Sequence, residues 1–122
     1  MTTVAEETNP ILVRKQKWLK LRLMLKERFG RVPDLNAVLM LIGIREVGQL
    51  KQKYEKEEKE DLMHVATCVV LSPHGYYKFI GRDDEGWPHY EEATPLPAMN
   101  AKEQEHFLIE CAIKYFEDHE LM

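Results

Sequence analysis

Two residue pairs in this chain have a spacing that could support metal chemistry. Asp61 precedes His64, and Glu103 precedes His106, by three positions within predicted helices. A carboxylate and an imidazole at this spacing share one helix face, and two such helices can hold a di-metal centre when other helices add carboxylates. The same pairs arise by chance in a charged chain, where they are solvated surface groups. We therefore predict no metal site, and these four residues are the candidates if one exists.

His64 interrupts an apolar run and is followed by Cys68 one helical turn later. A zinc site needs four ligands, and no further cysteine or histidine motif supplies the rest. Cys68 could act as a nucleophile with His64 as its base, but it lacks the helix N-terminus that lowers a thiol pKa. We expect His64 to be a buried structural histidine that is hydrogen-bonded to a carbonyl or a tyrosine hydroxyl.

Residues 72–90 hold the strongest candidates for a ligand site. They alternate apolar and polar residues around Asp83-Asp84-Glu85-Gly86, a pattern typical of a β-hairpin whose three-residue loop ends in a left-handed glycine. In the register that this turn predicts, Gly81 faces His89 and Ile80 faces Tyr90. One face then carries the aromatic residues Tyr77, Phe79 and Trp87 together with His89. His74, Tyr77, Trp87 and His89 are the candidate ligand-binding residues, although we favour burial of the aromatic rings on the helices over a ligand site.

Helices must position these residues. Good helix formers and glycine stops predict helices over 11–29 and 34–47, although residues 18–25 also alternate like a strand. The run 62–71 is apolar on nearly all sides, which indicates a central helix. Asn100 and Glu103 form a predicted capping box for the last helix. Gly43 lies inside a helix, which predicts close approach of a neighbouring backbone.

The predicted fold is mainly α: a compact four-helix domain, order α-α-α-ββ-α, with one antiparallel β-hairpin packed on the helices. We expect a flexible N-terminus over 1–9 and a single α-rich domain over 10–120. The positions expected to be most buried are Leu62, Val65, Ala66, Val69, Leu108, Ala112 and Phe116.

The first helix carries two apolar stripes, the second of which consists of Leu12, Leu19 and Leu23. Residues 14–31 have a net charge of +7, whereas residues 82–120 have a net charge of −8. Such charges can pair within the fold or across an oligomer interface. The cations do not share one helix face and the chain is acidic overall, so we predict weak or absent nucleic-acid binding. The three leucines are the candidate interface residues, with the outer face of the hairpin as the alternative interface, and homodimerisation is the hypothesis.

The N-terminal sequence, the apolar runs and the two cysteines together indicate a cellular compartment. The N-terminus shows neither the basic nor the apolar region of a signal peptide, and no apolar run approaches the length of a membrane span. Cys68 and Cys111 lie in apolar helical patterns, which fits free buried thiols in a reducing compartment. We expect a soluble cytoplasmic protein without a membrane partner.

The function that the sequence favours is protein–protein interaction or assembly, with itself or another protein as the partner and no cofactor. The alternative is a small-molecule or metal-binding protein, with catalysis left open, whose site lies near His64, His74, Trp87 and His89. The sequence lacks a Ser-His-Asp signature, a nucleotide-binding fingerprint and a metal quartet, which puts the binding class ahead.

Overall fold

The computed structural model describes residues 9–49 and 51–122. In these residues, four helices and a two-stranded antiparallel sheet follow one another in the predicted order. The elements are α1 (Pro10–Phe29), α2 (Leu35–Val47), α3 (Lys56–Leu71), β1 (Tyr77–Arg82), β2 (Pro88–Glu92) and α4 (Ala101–Asp118). The mainly α fold class is therefore confirmed. Of the N-terminus predicted to be flexible, residues 1–8 lie outside the described residues.

Local signals set the ends of the first two helices. The Asn9 side chain accepts hydrogen bonds from backbone N–H groups of the first turn of α1, and Gly30 ends the helix with a φ of 72°. The Asp34 side chain caps α2, which ends at Gly48 with a φ of 79°. Left-handed backbone of this kind costs glycine little because it has no Cβ atom. Residues 18–25, which alternate like a strand in sequence, therefore lie within α1.

α3 is the central helix, as predicted, and contacts α2, α4 and both strands. It begins at Lys56, six residues before its apolar run. Gly43 of α2 packs directly on it, because a Cβ atom at position 43 would collide with the backbone carbonyl of Leu62. This contact confirms the predicted close approach of a neighbouring backbone.

The core lies between the helices and consists mainly of aliphatic side chains. Leu21, Val38, Ile42, Leu62 and Ala112 are 0–1% exposed. Six of the seven positions predicted to be most buried are buried, but Leu108 is only half-buried. Ile109 takes the inward position instead, since Leu108 borders a groove between the first turns of α2 and α4.

The hairpin has the predicted turn but a different register. Gly86 is left-handed with a φ of 89°, and Gly81 pairs with His89 as expected. Tyr90, however, pairs with Phe79 rather than Ile80, because a bulge between Phe79 and Gly81 inserts one extra residue into β1. The Phe79 and Tyr90 ring centroids lie 5.5 Å apart. The predicted placement of Phe79 beside Trp87 and His89 is therefore wrong.

Candidate functional site

Some of the predicted site residues converge on a cleft between α3 and the turn end of the hairpin. The cleft has a volume of about 480 Å³. On the α3 side it is lined by Glu58, Asp61, His64, Val65 and Cys68, and on the hairpin side by Asp83, Glu85, Trp87, Pro88, His89 and Tyr90. His64, Trp87 and His89, three of the four residues named from the sequence for a small-molecule site, therefore face one space.

Asp83 organises the hairpin side of the cleft. Its Oδ1 atom accepts hydrogen bonds from the backbone N–H groups of Glu85 at 2.9 Å and Trp87 at 3.0 Å. Its Oδ2 atom lies 2.9 Å from Nε2 of His89. The hydrogen bond with His89, aided by these two N–H groups, lowers the pKa of the Asp83 carboxyl. The carboxylate is thereby held in one orientation at the rim of the cleft.

His64 faces this cleft and is exposed, so the prediction that it is a buried histidine is wrong. The hairpin stands away from α3 at this point, which leaves the imidazole open to solvent. Its Nε2 atom lies 3.7 Å from the Cys68 Sγ atom. Burial raises the pKa of the Cys68 thiol to about 11. Because the thiolate is the nucleophilic form, this pair is poorly suited to covalent catalysis at neutral pH.

The other two ligand candidates lie near the carboxyl end of α3. The His74 ring centroid is 5.6 Å from that of Phe107 on α4, in an edge-on arrangement. Tyr77 begins β1, is half-buried and pairs with Glu92. The structure thus separates His74 and Tyr77 from the cleft that holds Trp87 and His89.

The four metal candidates are also divided. Asp61 and His64 face the cleft, whereas Glu103 and His106 lie on α4, where Glu103 takes part in the predicted capping box. The Glu103 backbone N–H donates to Asn100 Oδ1 at 2.8 Å, and its carboxylate accepts from the Asn100 backbone N–H at 3.3 Å. Among residues 9–49 and 51–122, no group of three or more histidine, cysteine, aspartate or glutamate side chains is arranged to hold a metal ion.

Arg82 and Gln49 hold the hairpin in place, and sequence reasoning did not single them out. The Arg82 Nη1 atom donates to the carbonyl oxygens of Glu46 at 3.0 Å and Gly86 at 2.8 Å. The Gln49 side-chain amide donates to the carbonyl oxygen of Glu85 at 3.2 Å. These contacts join the turn to the end of α2. A sequence pattern could not reveal the Arg82–Glu46 and Gln49–Glu85 contacts, since in each of them the donor and the acceptor are 36 positions apart.

The charges around the cleft are mostly negative. Asp61, Asp83 and Glu85 contribute carboxylates, and the carboxylate of Glu58 is paired with the ammonium group of Lys51. The aromatic residues Trp87 and Tyr90 line the same space. Carboxylates beside aromatic rings favour a cationic ligand over an anionic one.

A second candidate surface lies on the outward side of α1. Leu12, Leu19 and Leu23 are 38%, 53% and 50% exposed, and Gln16, which lies among them, is exposed as well. We call these four residues the outer seam. The opposite side of the helix carries Leu21, which is fully buried. One stripe of α1 therefore serves the core, and the other faces solvent.

Some of the basic groups of α1 are paired within the chain. Arg14 contacts Glu110 at 3.3 Å, and Lys17 contacts Glu117 at 2.8 Å, both on α4. The side chain of Arg22 donates to the carbonyl oxygen of Pro33 at 2.6 Å. The charge asymmetry along the chain is thus partly neutralised inside one molecule.

A larger depression of about 840 Å³ lies between α1, α2 and the end of α4. Its floor is apolar and includes Leu25, Ile42 and Phe116. Arg45 stands at its edge, where its Nη1 atom donates to the Tyr115 hydroxyl at 2.6 Å. The sequence did not indicate this groove, because its walls come from three separate helices.

Within the described part of the chain, every helix is too short or too polar to cross a lipid bilayer. Comparison of the chain with protein-family models, with curated proteins and with solved structures finds no match.

Proposed function

We propose that this protein is an interaction module that docks another protein on the outer seam of α1. The observation that carries the proposal is the exposure of three leucines in one row of a helix whose opposite side is buried. Leucine side chains gain free energy when water is removed from them, and a contiguous exposed row is typical of a partner surface. Two free buried cysteines support a reducing, cytoplasmic setting.

Homodimerisation, the form of assembly expected from the sequence, stays a prediction. Ion pairs within one chain weaken the charge argument for it. The exposed leucines remain available to a second copy. The opposite charges of α1 and α4, however, already meet within one chain at Arg14–Glu110 and Lys17–Glu117. They therefore supply little reason for two chains to associate.

The proposal is tested by replacing Gln16, at the middle of the outer seam, with a photo-crosslinking benzoylphenylalanine in the cells that make the protein. We expect one defined covalent product, identified by mass spectrometry. The product should disappear when Leu12 and Leu23 are changed to glutamine. The same crosslinker at Lys102, an exposed position on α4, is the control. Failure to form a defined product at position 16 would contradict the proposed function.

A second candidate function is binding of a small cationic molecule in the cleft, favoured by the carboxylates that surround Trp87 there. Choline and acetate form a matched pair of probes. Choline is expected to shift the Trp87 indole N–H signal in NMR spectra, whereas acetate is not. The shift should be lost in Asp61→Asn and retained in Asp84→Asn, an exposed turn residue. Equal responses to both probes would rule out selection by charge.

A further inference from the structure

The residues of the outer seam have the spacing of one side of a two-helix interface. The inference drawn from this spacing rests on the proposed function. Leu12, Gln16, Leu19 and Leu23 follow one another at intervals of four, three and four residues. This is the spacing of the a and d positions in paired helices, where each side chain inserts between residues of the facing helix. A helix that packs on a protein core typically presents an apolar face of about 100° or more, whereas a strict a/d row is the narrower contact of paired helices. Ile11 and Met24 of α1 are also exposed, but exposed lysines lie between them and the row. The row by itself therefore favours a facing helix as the occupant.

The charges beside the outer seam define the partner further. Helical periodicity places Lys15 on one side of the row and Lys20 on the other, with Lys26 at its carboxyl end, and all three are exposed. Glu27 is the acidic residue at that end. Residues that flank a helix interface select partners by charge. A facing helix with acidic flanking residues would be attracted along most of the row.

A second copy of α1 is a poor occupant for the same reason. Parallel pairing would place Lys15 of one molecule beside Lys20 of the other. It would also bring Arg22 towards Glu27, but the Arg22 side chain is part-buried and bound to the carbonyl oxygen of Pro33, which weakens that attraction. Antiparallel pairing would place Lys15 on the side of Arg22, which is also basic. Like charges at these positions disfavour association. We infer that the outer seam docks an amphipathic helix of a different protein, one that presents leucine-like residues at its a and d positions and carboxylates on both flanks.

Two synthetic peptides of about three heptads, with leucine at a and d, provide the probes. One carries glutamate at the flanking e and g positions, and the other carries lysine. Binding of each labelled peptide to the full chain is measured by fluorescence anisotropy. We expect the glutamate peptide to bind at least about tenfold more tightly than the lysine peptide. The preference should decline between about 0.05 M and about 0.5 M NaCl, because salt screens exposed charges.

Variants of the leucine row and of the flanking lysines test the two parts of the proposed contact separately. Leu19→Gln should weaken binding of the glutamate peptide by about tenfold or more. Lys15→Glu with Lys20→Glu should reverse the preference, so that the lysine peptide binds more tightly. Ile80→Gln and Lys102→Glu are the matched controls, since both residues are exposed and belong to β1 and α4 rather than to α1. Circular dichroism checks that each variant is folded.

Equal binding of the two peptides, binding of neither, or a preference unaffected by the lysine changes would overturn the inference. Binding to phosphatidylserine vesicles in place of the peptide would overturn it in favour of a membrane. A dimer in sedimentation equilibrium that Leu19→Gln dissolves would overturn it in favour of a second copy. A crosslink at position 16 to a different protein would in each of these cases leave the proposed function standing, whereas loss of that crosslink would remove both.

Discussion

Asp83 is the residue at which local structure and the candidate cleft meet. Its carboxylate accepts two backbone N–H groups of its own turn and contacts His89 across the hairpin. These interactions favour the charged form, which is why the pKa of Asp83 lies below its ordinary value. The same contacts shape the turn that carries Trp87 to the cleft.

A lowered pKa in the folded state has a definite consequence for stability. The contribution of Asp83 is complete above the pKa of an unfolded aspartate and is lost as the pH falls through the lower pKa of the folded state. We expect NMR titration to give Asp83 a pKa below the ordinary value of an aspartate. His89→Ala should raise the Asp83 value towards the ordinary one. An unchanged value in that variant would show that His89 does not hold the carboxylate.

At the scale of the element, α1 shows how one helix can serve two purposes. Leu21 is fully buried, whereas Leu19, two positions earlier, is about half exposed. Residues two positions apart on a helix lie on nearly opposite sides, since each residue turns by about 100°. The amino-acid type is the same, and only the environment differs.

This contrast predicts a large difference between two identical substitutions. Leu21→Ala should lower the free energy of unfolding by about 2–5 kcal/mol, because it removes core contacts and leaves a cavity. Leu19→Ala should change the free energy of unfolding by no more than about 0.5 kcal/mol. Urea denaturation of both variants measures the difference. If Leu19→Ala cost as much as Leu21→Ala, the outer seam would belong to the fold and the proposed function would lose its support.

At the scale of the whole molecule, the two cysteines show how fully the packed helices bury side chains. Cys68 and Cys111 are each 1% exposed, although Cys68 also borders the cleft. Burial raises the pKa of Cys68 to about 11 and that of Cys111 to about 12. Both groups are therefore protonated thiols at neutral pH.

We expect a disulfide reagent such as Ellman's reagent to label neither thiol of the native protein rapidly at about pH 8, because the thiolate is the reactive form. Labelling should follow unfolding of the chain, and both thiols should react at once in denaturant. The variants Cys68→Ser and Cys111→Ser assign the signal to one residue. Rapid labelling of native Cys68 would mean that the cleft opens far enough for the reagent to reach the Cys68 thiol.

Much of this fold was predictable because its signals act within a few residues. Asp34, Gly30 and Gly48 mark helix ends, and Asn100 with Glu103 caps α4, through contacts within one helical turn. The turn at Asp83–Gly86 brings His89 opposite Gly81 by the same kind of local geometry. The candidate cleft was predictable only in part: His64, Trp87 and His89 were assigned to one site, but His74 was assigned with them and lies elsewhere, and the carboxylates of Asp83 and Glu85 were not assigned to it.

The sequence by itself thus determined the order of the elements, most of the buried positions and the existence of a second apolar stripe on α1. Tertiary structure alone decided that His64 is exposed in a cleft, that a bulge pairs Phe79 with Tyr90, and that Arg14 meets Glu110. The physical reason is the separation along the chain between the groups that interact. Helix caps and turns depend on neighbouring residues, whereas solvent exposure and ion pairing depend on which distant element covers a side chain.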